Sequence, residues 1–508
     1  MDTLLKKQTV SVSVPVLDRQ EECALSADFV LPEYCPDVAV VLKCLVSPRI
    51  QNRQWSGDQL LLDGTAVVRV LYLDEERRCL RQAEFSQPIS CTMRVGSQPD
   101  IVPVVVDASV KFVNCRAVSP RRLEVRGALL VSASAQQPMP MEMACAADTP
   151  ALCTHIKKAT ITTHVATAEK ILTISDALDF PTDLPPAEML LGGDCHAMIQ
   201  ECKLLSGKAI VKGQVHFHQL YTDNTVDGRV YCLDFQVPFS QIMDIEGAEE
   251  GQIHTAYATI LADTEHCAVG PEGENSVLEV NVKVLLQLFL YEACELPLLL
   301  DAYHSGYPVR LEMQELHLQG AQGCQRETAT LPVRMELPAQ PLSELVDVWA
   351  QPHSLSGTCE GGTARLSGRM LVCMLVRDAD GCLAYYERPE EYQLEYACVG
   401  NTVHGDVQVT AVRYRVIDNC LELQLSVFVT LYPCQRIEQK VLREVVLQTD
   451  QPYETERASV KLYYAEPGET VWDIGRSCHT SPEAIKKEND LQEDSISRKA
   501  VLIIPMTV

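Results

Sequence analysis

Apolar and polar residues alternate with a period of two through most of the chain, with Val and Leu dominant and breaks at Asp227-Gly228, Asp380-Gly381 and scattered Asn and Pro. A strand points successive side chains to opposite faces, so this pattern predicts antiparallel strands with one buried face. Helical spacing is scarce. Within the repeating part of the chain a short helix after Pro36 or Pro341 is the best candidate, because proline suits a first helical turn.

The alternating runs recur with a long period. Ser56-Gly57, Ser206-Gly207 and Ser356-Gly357 lie 150 positions apart, although Ser305-Gly306 and Ser367-Gly368 make the pair alone a weak mark. A glycine then opens a run that ends ten positions later at an aspartate: Gly64 to Asp74, Gly213 to Asp223, and Gly368 to Asp378. Leu123-Glu124-Val125, Leu278-Glu279-Val280 and Leu421-Glu422-Leu423 each begin a later β-prone run, and proline-bearing stretches at 31–38, 181–185 and 337–341 precede the Ser-Gly pairs. Three diverged copies are expected at 22–137, 170–317 and 330–450, behind a lead-in at 1–21 and with a connector at 138–169. The expected fold class is mainly β, with three β-sandwich-like repeats and one small α+β domain at 459–508.

In that last segment the pattern changes from about Ser459. Lys461 to Ala465 alternates as a strand, and Glu466-Pro467-Gly468-Glu469-Thr470 is a turn ending in an N-cap, with Asp473 completing a variant capping box. One helix is expected from Val471 to about Cys478. A second is announced by Ser481 as cap, Pro482 at its first position and Glu483 in its first turn. A polar loop from Asn489 to Lys499 and a strand from Ala500 to Pro505 complete a βααβ order.

Composition narrows the function classes. A length of 508 residues suits three or four domains, and a net charge of −26 repels phosphate backbones, so nucleic acid is excluded as an expected partner. The N-terminus has no apolar core followed by a small-residue cleavage site, which predicts that the chain stays where it is made. The most apolar stretch, Val284 to Tyr303, is interrupted by Gln287, Glu292, Glu295, Pro297 and Asp301, so no transmembrane segment is expected. The 21 cysteines, from Cys23 to Cys478, contain no Cys-x-x-Cys pair and read as reduced core thiols, with cross-linking in an assembled layer as the alternative.

Candidate chemistry is sparse. His216 and His218 alternate on a strand and face one side, as a metal would need, but sequence places no Cys, Asp or Glu beside them, and a solvated sheet face is expected. The paired acids Glu75-Glu76, Glu249-Glu250 and Glu390-Glu391 fall in turns, where solvation explains them. The sequence holds no nucleophile elbow, His-Glu-x-x-His, phosphate loop or dinucleotide fingerprint, so the expectation is no catalytic residue, no metal and no cofactor. Leu31, Pro32, Tyr34, Pro36 and Asp37 form either a docking segment, stiffened by its prolines, or a strand lead-in packed on its own sandwich.

Two resemblances connect these features. Residues 464–505 resemble a LysM domain through Glu466-Pro467-Gly468-Glu469-Thr470-Val471-Trp472-Asp473-Ile474, Thr480-Ser481, Asn489-Asp490-Leu491 and Val501-Leu502-Ile503-Ile504-Pro505. Glu469, Val471 and Lys499-Ala500 depart from the family's usual Asp, Leu and Pro-Gly, which bears on glycan affinity rather than fold. The resemblance implies a groove with Pro467, Gly468, Glu469, Thr470 and Val471 on one wall and Asn489, Asp490, Leu491 and Ile504 on the other. Taken one by one, the same residues also read as turn, cap and core. Asp28 to Leu42, with Leu31-Pro32-Glu33 and Pro36-Asp37-Val38, looks like the opening of the SPOCS family of endospore-forming Firmicutes.

SPOCS repeats followed by one LysM are similar to the SipL-type spore-coat morphogenetic proteins. The resemblance implies a non-enzymatic scaffold in the mother-cell cytoplasm, at the forespore surface and spore coat. Its implied partners are the coat's morphogenetic ATPase and other coat proteins. The alternative is a protein that binds peptidoglycan, or N-acetylglucosamine oligomers, in cortex or cell wall. A wall hydrolase with LysM as targeting module lacks any shared acid, cysteine or metal pair in the three copies.

Overall fold

The structure, a computed structural model, describes residues 4–75, 79–95, 102–223, 225, 228–269, 276–337, 342–417, 420–453 and 460–505. Glu76, Asp227, Pro338 to Pro341 and Ser459 lie outside the described residues.

Alternation does produce strands, and they repeat in one order. The first unit runs β1 (Leu5–Val30), β2 (Val38–Ser56), β3 (Gln59–Asp74), β4 (Leu80–Arg94), β5 (Val105–Ser119) and β6 (Arg122–Ala147). The second runs β7 (Leu152–Asp179), β8 (Ala187–Leu205), β9 (Lys208–Asp223), β10 (Val230–Asp244), β11 (Ile253–Val269) and β12 (Ser276–His304). In the third the opening strand is split into β13 (Val309–Ala321) and β14 (Gln325–Glu336), with Gly323 at φ +93° in the break. It continues with β15 (Leu342–Glu360), β16 (Thr363–Asp378), β17 (Leu383–Ala397), β18 (Thr402–Ile417) and β19 (Cys420–Leu447).

Each unit is two antiparallel sheets. A meander (β2-β3-β4, β8-β9-β10 or β15-β16-β17) faces a sheet centred on the unit's last long strand, β6, β12 or β19. Each pair of sheets closes over its own apolar core, with Val68, Val70 and Leu123 in the first unit, Val215, Phe217 and Leu278 in the second, and Val372, Val376 and Leu421 in the third.

The glycine that opens each run has a packing reason. Gly64, Gly213 and Gly368 sit on the middle meander strand beside a register shift in the strand before it, at Ile50/Asn52, Ile199/Glu201 and Pro352/Ser354. The bulge brings a carbonyl so close that an added Cβ would lie 2.1 Å from the Arg49 oxygen at Gly64, 2.1 Å from the Met198 oxygen at Gly213, and 2.6 Å from the Ser354 oxygen at Gly368. The Ser-Gly landmark holds only twice. Gly57 and Gly207 turn their hairpins at φ +60° and +71°, but Ser356-Gly357 lies inside β15, and Gly361-Gly362 make the equivalent turn.

The stretches expected as lead-in and connector are structural. Residues 5–21 are part of β1, and 138–169 are divided between the end of β6 and the start of β7. Pro138 and Pro140 are tolerated because β5 leaves β6 at Ser134, so beyond it β6 pairs with β1 alone. These strand extensions converge from all three units, burying Val12, Met143, Ile161, Leu296, Leu318 and Ile437 together. The expected helices after Pro36 and Pro341 are absent from the described residues, where β2 begins at Val38 and β15 at Leu342.

The units also meet through the outer faces of their meanders. β4 touches β8, β10 touches β15, and β17 touches β2, so the three units close on one another around an axis. Leu71 and Leu80, Leu191 and Leu220, and Trp349 and Leu375 fill that centre. The chain ends in β20 (Val460–Ala465), α1 (Val471–Cys478), α2 (Pro482–Glu488) and β21 (Ala500–Pro505), with β20 and β21 paired antiparallel. No helix among the described residues is long and apolar enough to cross a membrane.

Candidate functional site

The C-terminal module is built on a few turn and cap bonds. Gly468 takes φ +96° after Pro467, a conformation that costs a side chain but not glycine. Its amide donates to the Ile496 carbonyl at 2.8 Å, Ile496 N donates to the Glu469 carbonyl at 2.8 Å, and Val471 N donates to the Asp494 carbonyl at 2.8 Å. The first loop is thereby zipped to residues 494–496. Thr470 caps α1 by accepting from Asp473 N at 3.1 Å, and Ser481 caps α2 by accepting from Ala484 N at 3.1 Å. Ala465, Val471, Ile474, Ile485, Leu502 and Ile504 form the core between helices and hairpin.

This accounts for most of the expected groove residues. Val471 and Ile504 are fully buried in that core. The Glu469 carboxylate accepts from Tyr463 Oη at 2.9 Å and from Glu466 N at 2.8 Å. Asn489 donates to the Ile485 carbonyl at 2.8 Å and the Ile503 carbonyl at 2.7 Å, and accepts from Ile503 N at 2.7 Å. Leu491 is half-buried against the core, whereas Pro467, Gly468 and Asp490 stay exposed, Asp490 at φ +51°. The partner of the first loop is Asp494-Ser495-Ile496, inside the stretch that reads as a polar loop, where Ile496 is the one apolar side chain of the three and is buried in the module's core.

The outward face of the module's hairpin is apolar. Val460, Leu462 and Tyr464 on β20 and Val501 and Ile503 on β21 share one side, and Tyr464 is 75 % and Leu462 60 % exposed. Alternation alone misplaces this face, because Val460, Leu462 and Tyr464 read as the buried side against Lys461, whereas Tyr463 and Ala465 are the residues that pack on the core.

Trp472 points away from the module. Its Nε1 donates to the Asp301 carboxylate of β12 at 3.3 Å, Arg476 donates to the same carboxylate, and the indole packs on Tyr303 and His155 with centroids 4.9 and 5.1 Å away.

The Leu31 to Asp37 segment is a clamped turn. The Arg121 guanidinium donates to the Cys35 carbonyl at 3.1 Å, the Pro32 carbonyl at 2.8 Å and the Asp37 carboxylate at 2.7 Å. Leu31 is buried, Tyr72 Oη donates to the Pro36 carbonyl at 3.2 Å, and Cys35 N donates to the Pro32 carbonyl at 2.9 Å. Tyr34 projects, 87 % exposed, beside the exposed Glu33. The second unit repeats the device, with Tyr221 Oη donating to the Pro185 carbonyl at 3.0 Å.

The seams between units hold a cluster of buried charge. Arg69, His218 and Cys373 each stand five positions after the run-opening glycine and pair across the meander with an acid: Glu84, Asp234 and Glu387. Cross-unit ion pairs close each seam: Arg49 with Asp263 at 2.6 Å and Arg69 with Glu265 at 3.3 Å at the first, His218 with Asp347 at 3.1 Å, and Lys43 with Glu387. His216 and His218 therefore do not lie on a solvated face. They share one side as alternation predicts, but β15 covers it, and His216 is buried.

Burial opposes charge on His218, yet hydrogen bonds to Asp234 and Asp347 outweigh it and hold its pKa well above the usual value. Burial, helped by neighbouring His196, lowers His216 to about 4. At the first seam, burial lifts Glu265 to about 7 against the opposing pull of Arg69. Cys232 and Asp234 on the neighbouring strand β10 and Asp347 across the seam gather around His218: hairpin register places the first two, and the third comes near only when the units close, because separation along the chain does not encode contact across a seam.

A family model described as SipL, SPOCS domain matches residues 37–118 and 186–268. Those spans run from β2 to β5 and from β8 to β11, the same elements of two successive units. No curated protein and no solved structure matches the chain. The family match supports a sporulation-related role of the coat-protein kind. The chain thus carries the SPOCS domain twice, on equivalent strands of its first two units.

Proposed function

We propose that the chain is a non-enzymatic scaffold of the endospore coat that tethers the coat's basement-layer ATPase to the forespore surface. The observation that carries this reading is the double SPOCS match on equivalent elements of successive units, in a family that is structural and coat-related. Three units closed around an axis present several surfaces from one chain, and weak contacts on one chain raise effective concentration at a growing layer. The net charge of −26 favours a free, dispersed chain until a partner gathers it.

In this reading the C-terminal module acts as a LysM-type adaptor for protein. Support comes from its exposed hairpin face of Val460, Leu462, Tyr464, Val501 and Ile503, since an apolar sheet face of this kind suits a protein partner. A second reading, peptidoglycan binding, draws on the exposed Pro467-Gly468 turn beside the α1 N-terminus. Co-sedimentation of the full chain with purified peptidoglycan, run beside capture of the coat ATPase, separates the two. Capture without sedimentation supports the tether, and sedimentation without capture supports the wall-binding reading.

A further inference from the structure

We propose that His218, Cys232 and Asp347 form a site for a divalent cation of the zinc class that staples the second unit to the third. His218 on β9 and Cys232 on β10 come from one unit, and Asp347 on β15 comes from the next. Nε2 of His218 lies 3.1 Å from the Asp347 carboxylate and 3.7 Å from Cys232 Sγ. Those separations match the edges of a tetrahedron whose centre is roughly 2.0–2.3 Å from nitrogen, oxygen and sulfur. All three ligand atoms lie within 4.8 Å of one another.

The surroundings are those of a supported ligand. Nδ1 of His218 lies 2.9 Å from Asp234 Oδ1, so a proton on Nδ1 is held by a carboxylate while Nε2 is turned towards Asp347. A carboxylate behind a metal-binding histidine fixes its tautomer in this way. A nitrogen, a thiolate and one carboxylate form a borderline-soft donor set, which selects zinc over calcium or magnesium. The His218 and Asp347 side chains are only 17 % and 11 % exposed, so a cation held here lies within the seam and links the units directly.

The metal-free state is equally defined. Without a cation, His218 stands between two carboxylates as an imidazolium and donates from both nitrogens. Sγ of Cys232 is nearly equidistant from the two nitrogens, at 3.4 and 3.7 Å, beside the imidazole rather than along the Nε2 lone pair. Ligation therefore includes a rotamer step of Cys232. It displaces the Nε2 proton and the thiol proton to solvent, and a water fills the fourth position.

Titration of the full, chelator-treated chain with Co2+, followed by displacement with Zn2+, tests the site through the thiolate-to-cobalt charge-transfer band in the near ultraviolet. The expected result is a band that saturates at one equivalent, disappears in Cys232→Ser, and persists in Cys382→Ser, which removes an exposed thiol elsewhere. Asp234→Asn keeps all three ligands and is expected to weaken binding about 10–100-fold while leaving the band in place. Asp347→Asn, which also keeps the thiol, weakens it at least as much. No cobalt band in the wild-type chain, or a band of unchanged strength and affinity in Cys232→Ser or Asp347→Asn, overturns the proposal.

Discussion

The Tyr303 hydroxyl donates to the Thr480 carbonyl at 2.6 Å, joining the last strand of the second unit to the turn between the two helices of the C-terminal module. Beside it, Asp301 accepts from both Trp472 and Arg476. The module is thus seated on the assembly through a mostly buried aromatic contact and one carboxylate.

Asp301→Ala removes the acceptor for both donors and leaves the indole N–H unpaired, a loss of about 1–3 kcal/mol at the seat. Hydrogen exchange of the α1 amides is expected to rise while that of β3, β9 and β16 stays constant. Equal acceleration everywhere would mean that the module and the units unfold as one.

Arg121 and Tyr34 separate folding from docking in the Leu31 to Asp37 turn. Arg121→Ala frees the Cys35 and Pro32 carbonyls and the Asp37 carboxylate, and is expected to lower stability in urea by about 1–2 kcal/mol. Tyr34→Ala, at an exposed position, is expected to change stability by less than about 0.5 kcal/mol. A fall in partner capture on Tyr34→Ala would make this turn a docking element, and unchanged capture would leave it a strand lead-in.

Gly213→Ala places a Cβ 2.1 Å from the Met198 carbonyl and 2.5 Å from Phe239. Such overpacking is expected to cost about 1–3 kcal/mol, visible as a lower denaturation midpoint. An unchanged midpoint would show that the β8 bulge relaxes freely.

These glycines mark how far the sequence is legible. Gly64, Gly213 and Gly368 carry a constraint local to one hairpin, so their recurrence reads directly as a repeat of β structure. Ser356-Gly357 misleads because its spacing matches while its register does not, and only strand pairing tells a turn from a strand interior. Residues 138–169 read as a connector because their small residues and prolines weaken the alternation, although their function is to bury Met143 and Ile161 at the axis. The module's caps at Thr470 and Ser481 are legible because a cap acts within three residues. Asp347 beside His218, or Asp301 beneath Trp472, lies 129 or 171 residues from its partner and becomes visible only when the units close.

The first seam predicts a pH dependence. Two guanidiniums, Arg49 and Arg69, face three carboxylates, Asp263, Glu265 and Glu84, and burial raises Glu265 from 4.5 to about 7. A carboxyl with a higher pKa in the fold than in the unfolded chain favours folding while protonated. Its contribution is therefore greatest below about pH 4.5, declines as the pH climbs, and is gone above about pH 7. Glu265→Gln removes that decline, so the variant gains on the wild type between pH 5 and pH 8 by on the order of 3 kcal/mol. Parallel stability profiles for the two proteins would show that Arg69 keeps Glu265 ionised throughout.

The most direct measurement of the tether is the dissociation constant between the purified coat ATPase and the full chain, compared with Leu462→Glu/Tyr464→Ala. Both substitutions lie on the module's exposed apolar face and spare its core. The account predicts that the ATPase binds the wild-type chain and that the double variant weakens binding at least tenfold, about 1.4 kcal/mol, with the far-ultraviolet spectrum unchanged. No binding by the wild-type chain, or equal affinity for wild type and variant, would contradict a tether through this module.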